Sequence, residues 1–396
     1  MPFVQEIRTL VDARASAPRR PRAPDAEPFE PQRLDIHALF SAYPNIESLS
    51  VSINRLRGGC VRGLAPSTRI SGLNPETTFP PLRSLSLSGY NIAQDEEVQP
   101  LWTEKFPWDK LRSLTLGRQQ NPGFCKVATG KVHHLKQFEI TSYGNPSSCK
   151  DLDAFLSSFH TLESLTAKGT VPSLVAIAHH SDLKHICLHV IETHDEERVS
   201  LNAKEIKALD RQHPHLKSLE LDIDPHDEWP EDIVKAIATS FKDLQQLSIH
   251  VGLRLSHLIN ICNADRKNDG HDIRNKEAFK SILTDEKAQA FAKRIFDCRG
   301  SSNLKKVTLQ TGEDLRWFSQ WSPWYADAER RHAKIFEAYP PLRQGDEPYL
   351  EEPMSNYARL MESRRISLRS KFREEKYPRL SSAPRVLQAS GFPSVI

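Results

Sequence analysis

The sequence has no run of about 18 apolar residues, and Met1–Glu6 opens on no apolar stretch, so neither a membrane span nor a secretory leader is expected. Cysteine is sparse. The six thiols at 60, 125, 149, 187, 262 and 298 are scattered and form no C-x-x-C. That excludes a zinc ribbon or a disulfide frame and suits a reducing compartment, the cytoplasm or the nucleus. An excess of either charge is also missing, for the formal net charge is +3. The nucleophile elbow G-x-S-x-G, the P-loop, G-x-G-x-x-G and H-E-x-x-H do not occur, so no sequence feature supports an enzyme or a cofactor. Apolar residues make up only 38% of a chain with 27 prolines, so part of it is expected to stay outside any packed core.

What is present is one spacing, L-x-x-L-x-L. It occurs at Ile46/Leu49/Val51, Leu82/Leu85/Leu87, Leu111/Leu114/Leu116, Leu135/Phe138/Ile140 and Leu162/Leu165/Ala167. It continues at Leu183/Ile186/Leu188, Leu216/Leu219/Leu221, Leu244/Leu247/Ile249 and Leu304/Val307/Leu309. Repetition at intervals of 21 to 36 residues, with one double step of 60 before the last triplet, marks a stacked repeat architecture. Each triplet predicts a short strand. Helical segments precede most of them: Leu34–Tyr43, Asp151–Phe159, Pro172–Ala178, a helix capped by Ser200, and one opened by Pro230 with the stripe Ile233/Ile237/Phe241. Alternating helix and strand forces parallel pairing. The expected fold is α/β, an irregular leucine-rich-repeat solenoid with parallel strands on a concave face and helices on a convex face.

The organisation follows. Residues 1–33 hold a partial repeat (Val4, Ile7, Leu10) and a Pro/Arg-rich linker. Residues 34–320 form the solenoid, with an insertion at about 253–296 that ends in a helix over Phe279–Phe296. Residues 321–341 are an aromatic capping segment, and 342–396 a basic, largely disordered tail with one helix near 352–375. Within that tail, 359–385 carries nine Arg/Lys against three Glu, and Arg364-Arg365-Ile366-Ser367 has the form of a basophilic kinase site. The run lacks aromatic interleaving beyond Phe372 and Tyr377, so nucleic-acid binding is not favoured.

Residues flanking the inner apolar positions point away from the core. In the first half they are small hydroxyls such as Ser84/Ser86/Ser88. From His185 onward they are His185, His189, Glu220, Asp222 and His250, the candidate partner-binding residues. His185 and His189 would lie about 13 Å apart on one strand, so they do not share a metal ion, and no metal site is expected.

The phrases FPPLRSLSLSGY, HPHLKSLELDI and FKDLQQLSIHV resemble the leucine-rich-repeat region of fungal F-box proteins over about residues 34–320. That resemblance implies a non-enzymatic solenoid that holds the substrate of a Skp1–cullin ubiquitin ligase. Trp229-Pro230-Glu231-Asp232 has the flavour of an F-box opening but runs into the Leu244 strand, and the N-terminal residues hold no F-box. Skp1 and cullin are therefore implied only for a longer chain with an upstream F-box. A weaker resemblance, to GTPase-activating repeat proteins, implies a regulator of a partner enzyme; a plain scaffold is the third reading.

Overall fold

A computed structural model describes residues 6–12, 35–54, 70, 72–90, 92, 98–119, 123–142, 149–190, 200–223, 229–252, 283–299, 303–312, 334–341 and 346–351. The linker, residues 253–282 of the insertion, Trp317–Tyr325 and everything after Glu351 lie outside these. The chain divides into two compact units. The first holds residues up to Val190 together with Lys207–Leu219, and the second Ile191–Ile206 and the chain from Glu220. The fold is α/β, with strands hydrogen-bonded in chain order and mostly parallel.

In the first unit β1 (Glu6–Asp12), β2 (Ser48–Asn54), β3 (Ser84–Ser88), β4 (Ser113–Gln119), β5 (Gln137–Ser142), β6 (Ser164–Lys168) and β7 (His185–His189) pair successively in parallel. The strands fall on the triplets because the two inner apolar side chains share one face. Leu85, Leu114 and Leu165 are fully buried, while Ser84, Ser86 and Ser88 between them are half-exposed. Leu85 faces Leu114, Leu114 faces Phe138, Phe138 faces Leu165 and Leu165 faces Ile186. A slip of one residue would turn every such side chain to water, which locks the register. In β1, Ile7 lies opposite Leu49 but Leu10 lies opposite Ser52. Thr9, not Leu10, lies opposite Val51, so the Ile7/Leu10 spacing runs one residue past the triplet register.

Helices α1 (Ile36–Ala42), α2 (Gln99–Glu104), α3 (Gly123–Ala128), α4 (Cys149–Leu156) and α5 (Leu174–Ile177) cover the buried face of this sheet. Asp35 and Ser173 cap α1 and α5 with their side-chain oxygens. Sequence reasoning gave no sign of α2, α3 or the aromatic core between them. There Phe79, Trp102, Phe106, Trp108 and Phe124 stack with centroids 4.5 to 5.5 Å apart. Both indole N–H groups are satisfied: Trp102 donates to Tyr90 Oη at 3.3 Å and Trp108 to the Trp102 carbonyl at 2.8 Å.

Three residues before the first leucine of the triplets from Leu82 to Leu244, the chain turns and buries one side chain; before Ile46 the residue there, Tyr43, is exposed. In the first unit that position holds Phe79, Trp108, Val132, Phe159, His180 and His213, all buried. Two imidazoles therefore occupy an aromatic and aliphatic column. His180 packs on Phe159 at 4.9 Å between centroids.

The second unit continues from the end of β8 (Ser218–Ile223) through β9 (Gln246–Val251) and β10 (Lys306–Thr311), which are parallel. β11 (Ile335–Tyr339) and β12 (Tyr349–Glu351) then run antiparallel. The expected capping segment thus supplies a strand through Phe336, and the expected tail supplies another. An antiparallel neighbour needs no crossover helix. Helix α6 (Ala203–Gln212) is capped by Asn202, not Ser200: Asn202 Oδ1 accepts from the Lys204 and Glu205 amides, and Glu205 reaches back to the Asn202 amide at 2.8 Å. Helix α7 (Glu231–Thr239) buries Val234, Ile237 and Ala238; Ile233 of the expected stripe is half-exposed. It packs beside α8 (Asp285–Arg299), the described part of the insertion helix. The pair is joined by Trp229 on Phe291 at 4.7 Å and by Arg294 to Glu231 at 3.1 Å. Arg299 donates to the carbonyls of Phe241 at 3.2 Å, Ile237 at 3.0 Å and Ser240, which closes the C-terminus of α7. Among the described residues no helix is long and apolar enough to cross a membrane.

Candidate functional site

The sheet face turned from the helices carries the candidate residues, and its character differs along the chain. In the first unit it is hydroxylic. Ser113, Thr115, Gln137, Glu139, Ser164 and Thr166 line a shallow depression of about 210 Å³ over β4, β5 and β6. The strand alternation that buries Leu114, Phe138 and Leu165 turns these side chains outward. Gly117 belongs to the same face because a Cβ there would sit 3.1 Å from Ser88 Oγ.

His185 starts β7 in this unit and is exposed. Partial burial, then the positive charges of Lys217 and Lys184, hold its imidazole below the ordinary value, so it is a neutral hydrogen-bonding group at pH 7. His189, at the end of the same strand, is buried with 2% of its surface exposed.

In the second unit the polar side chains meet each other. His250 Nε2 lies 2.6 Å from Glu220 Oε1, and the Gln310 amide nitrogen lies 2.7 Å from His250 Nε2 and 3.0 Å from its Nδ1. The carboxylate can only accept, so His250 serves it through a ring N–H at Nε2, while the Gln310 side-chain amide lies against the same ring. An oxygen of Asp222 falls within 4.8 Å of the same imidazole. Asp222 is 5% and His250 7% exposed, whereas the Glu220 side chain keeps 24%. Of the five residues picked from the sequence, His185 and Glu220 therefore face the surface, and His189, Asp222 and His250 are interior. Strand spacing predicted the alternation but not the burial, which depends on what packs over the far end of each strand.

Chemically, Glu220, His250 and Gln310 form a hydrogen-bonded cluster in which the imidazole holds the carboxylate. Burial, with Asp151 adding to it, pushes the Cys125 thiol up to about 12, which makes it inert as a nucleophile.

Two features escaped sequence reasoning. Gln310 was visible as the last outward residue of its triplet, but its role depends on pairing with β9. The second is a row of charge at the heads of the strands. In the first unit the residue after the first apolar residue of each triplet is Glu47, Arg83, Arg112, Lys136, Glu163, Lys184 and Lys217, five of the seven Lys or Arg, a signal that lies in plain view in the sequence. No protein-family model matches the chain, and no curated protein matches it as a relative.

Proposed function

We propose that the chain is a non-enzymatic protein-binding repeat protein of the cytoplasm or nucleus, related in role to the substrate-holding repeats of ubiquitin-ligase receptors. One observation supports this reading above others: a register-locked sheet face set with outward hydroxyl, amide, imidazole and carboxylate groups. Side chains held by backbone pairing lose little entropy on contact, which favours recognition of a macromolecular surface. Glu220 and His185 are the accessible members of the set picked from the sequence. The buried Asp222 and His250 act behind them, His250 by holding the Glu220 carboxylate in place. Glu220 favours a basic or hydrogen-bond-donating group on the partner.

The test is affinity capture with the full chain, followed by binding measurements on the captured protein. Glu220→Gln and His185→Ala should each weaken binding by about 1–3 kcal/mol if they are central contacts, and Ser84→Ala with Ser86→Ala by far less. Equal effects, or none from Glu220 and His185, would move recognition elsewhere. The ligase reading expects Skp1 binding only when an F-box precedes residue 1. The alternative role, regulation of a partner enzyme, predicts that a captured GTPase or other enzyme changes its rate when the chain is added.

A further inference from the structure

The strand heads of the first unit form a ladder of fixed spacing. Arg83 N–H donates to the Glu47 carbonyl at 2.7 Å, Arg112 to Arg83 at 2.7 Å, and Lys136 to Arg112 at 2.8 Å. Glu163 then donates to Lys136 at 2.8 Å, Lys184 to Glu163 at 2.9 Å, and Lys217 to Lys184 at 2.8 Å. Seven side chains thus stand in one row about 4.8 Å apart. Five are cations and two are carboxylates, a net charge of +3.

The ion pairs within the row do not cancel it. Glu47 pairs with Arg83 at 3.4 Å, while Glu163 is shared by Lys136 at 2.6 Å and Lys184 at 2.7 Å. Two lysines on one carboxylate drive the Glu163 acid down to about 2 and leave one positive charge in excess there. Arg112 ties one guanidinium nitrogen to the His134 carbonyl at 3.0 Å, which fixes its direction without neutralising it. Arg83, Arg112, Lys136 and Lys217 are exposed.

The next residue along each strand is Ser84, Ser113, Gln137, Ser164, His185 or Ser218, small or uncharged donors that let a chain approach closely. The hydroxyl-lined depression opens beside Arg112 and Lys136, which immediately precede Ser113 and Gln137. Glu139 is the carboxylate of that lining, one outward position further along β5. It repels acid from the depression and keeps it on the head row. Asp109 and Asp182 lie in the turns before the row, beside Lys110 and Lys184.

We infer that this row is a docking edge for an extended acidic segment of a partner protein. From Arg83 to Lys217 there are five strand steps, about 24 Å, a span that about seven extended residues cover. Acidic side chains about 6.7 Å apart on one face of such a segment would reach the cations on either side of Glu163, and the segment's backbone would lie against the serine row. The inference rests on the reading of the chain as a protein-binding repeat protein but uses none of the second unit's residues.

The test uses the full chain and a fluorescein-labelled peptide of about seven residues alternating Asp with Ser, with an Asn–Ser twin, read by fluorescence anisotropy. The acidic peptide should bind and the twin should not, and added salt should weaken binding steeply. R112S/K136S/K217S should raise Kd about tenfold, and K235S on α7 should leave it unchanged. E163Q, which releases Lys136 and Lys184, should tighten binding about two- to threefold, a gain that misfolding cannot mimic. Equal binding of the two peptides, or an unchanged Kd in the triple variant, overturns the proposal. So does a uridine oligonucleotide that binds more tightly than the peptide at about 0.15 M salt, since that would assign the row to nucleic-acid phosphates. Loss of the captured partner on Glu220→Gln with no binding of the acidic peptide would refute this edge alone and leave the functional reading standing.

Discussion

Acid should loosen the first unit in a way that one substitution abolishes. His180 and His213 sit fully buried in the column that elsewhere holds Phe79, Trp108, Val132 and Phe159. Among the described residues none of their four ring nitrogens makes a hydrogen bond of ordinary geometry, although the Leu156 and His180 carbonyls lie near enough to act on them. Burial is the main reason the His180 imidazole falls from 6.5 to about 4; His179, His213 and His160 push the same way, and the Leu156 carbonyl opposes them. His213 is lowered too, by burial, with the His180 carbonyl opposing. The fold therefore keeps the neutral form. An unfolded chain takes up the proton once pH drops below about 6.5, while the native state refuses it until about 4. The stability tied to His180 is complete above the higher value and is lost as pH falls between the two. At about 1.4 kcal/mol per pKa unit, His180 alone accounts for about 2 kcal/mol lost between about pH 7.5 and about pH 5. His213 adds to this in the same direction. Carboxylates contribute little in that window, because they titrate mainly below it. The assay is denaturant-dependent hydrogen exchange read on peptides from β6 and β7, at both pH values and corrected for intrinsic rates. His180→Phe, which copies Phe159, should flatten the pH dependence by about 2 kcal/mol. His180→Val, which copies Val132, should do the same whatever its effect on absolute stability. If wild type and both variants lose stability in parallel, the buried imidazole is not the acid-sensitive group.

The remaining predictions concern other parts of the fold. Arg299→Met should remove three hydrogen bonds to carbonyls at the end of α7 and cost the second unit about 2–4 kcal/mol, visible as lost amide protection in α7. Gly130 has φ +74° and open space around its Cβ position, so Gly130→Ala should cost about 1 kcal/mol from the backbone alone and Gly130→Asn less, measured by denaturant midpoint. Glu163→Gln should change neutral-pH stability by less than about 1 kcal/mol, because its lysine partners are largely in water. Since the Glu163 acid is depressed from 4.5 to about 2, that small contribution is present above the higher value and fades as pH falls through the lower. An acid titration of the variant should differ from wild type only there.

The repeat spacing of apolar residues determined the strands, their parallel order and their register. A buried face with a period of two tolerates no other pairing, and each triplet announces its own strand. The same local logic placed α4, α5 and α7, whose apolar spacing and opening residues are short-range signals. Tertiary structure decided the rest. The aromatic core of Trp102, Phe106, Trp108 and Phe124 is assembled from segments whose own periodicity is weak, so only packing shows it. Asn202 rather than Ser200 caps α6 because the reciprocal bond with Glu205 is available there. β11 and β12 run antiparallel, and no spacing rule for parallel repeats foretells a reversal. The outward positions of β7, β8 and β9 were legible as polar. That His189, Asp222 and His250 are buried while His185 and Glu220 are not depends on the surroundings of each strand, which alternation along a chain cannot encode. The cation row was legible in full, because a fixed offset from a repeated leucine becomes a straight line once the strands stack about 4.8 Å apart.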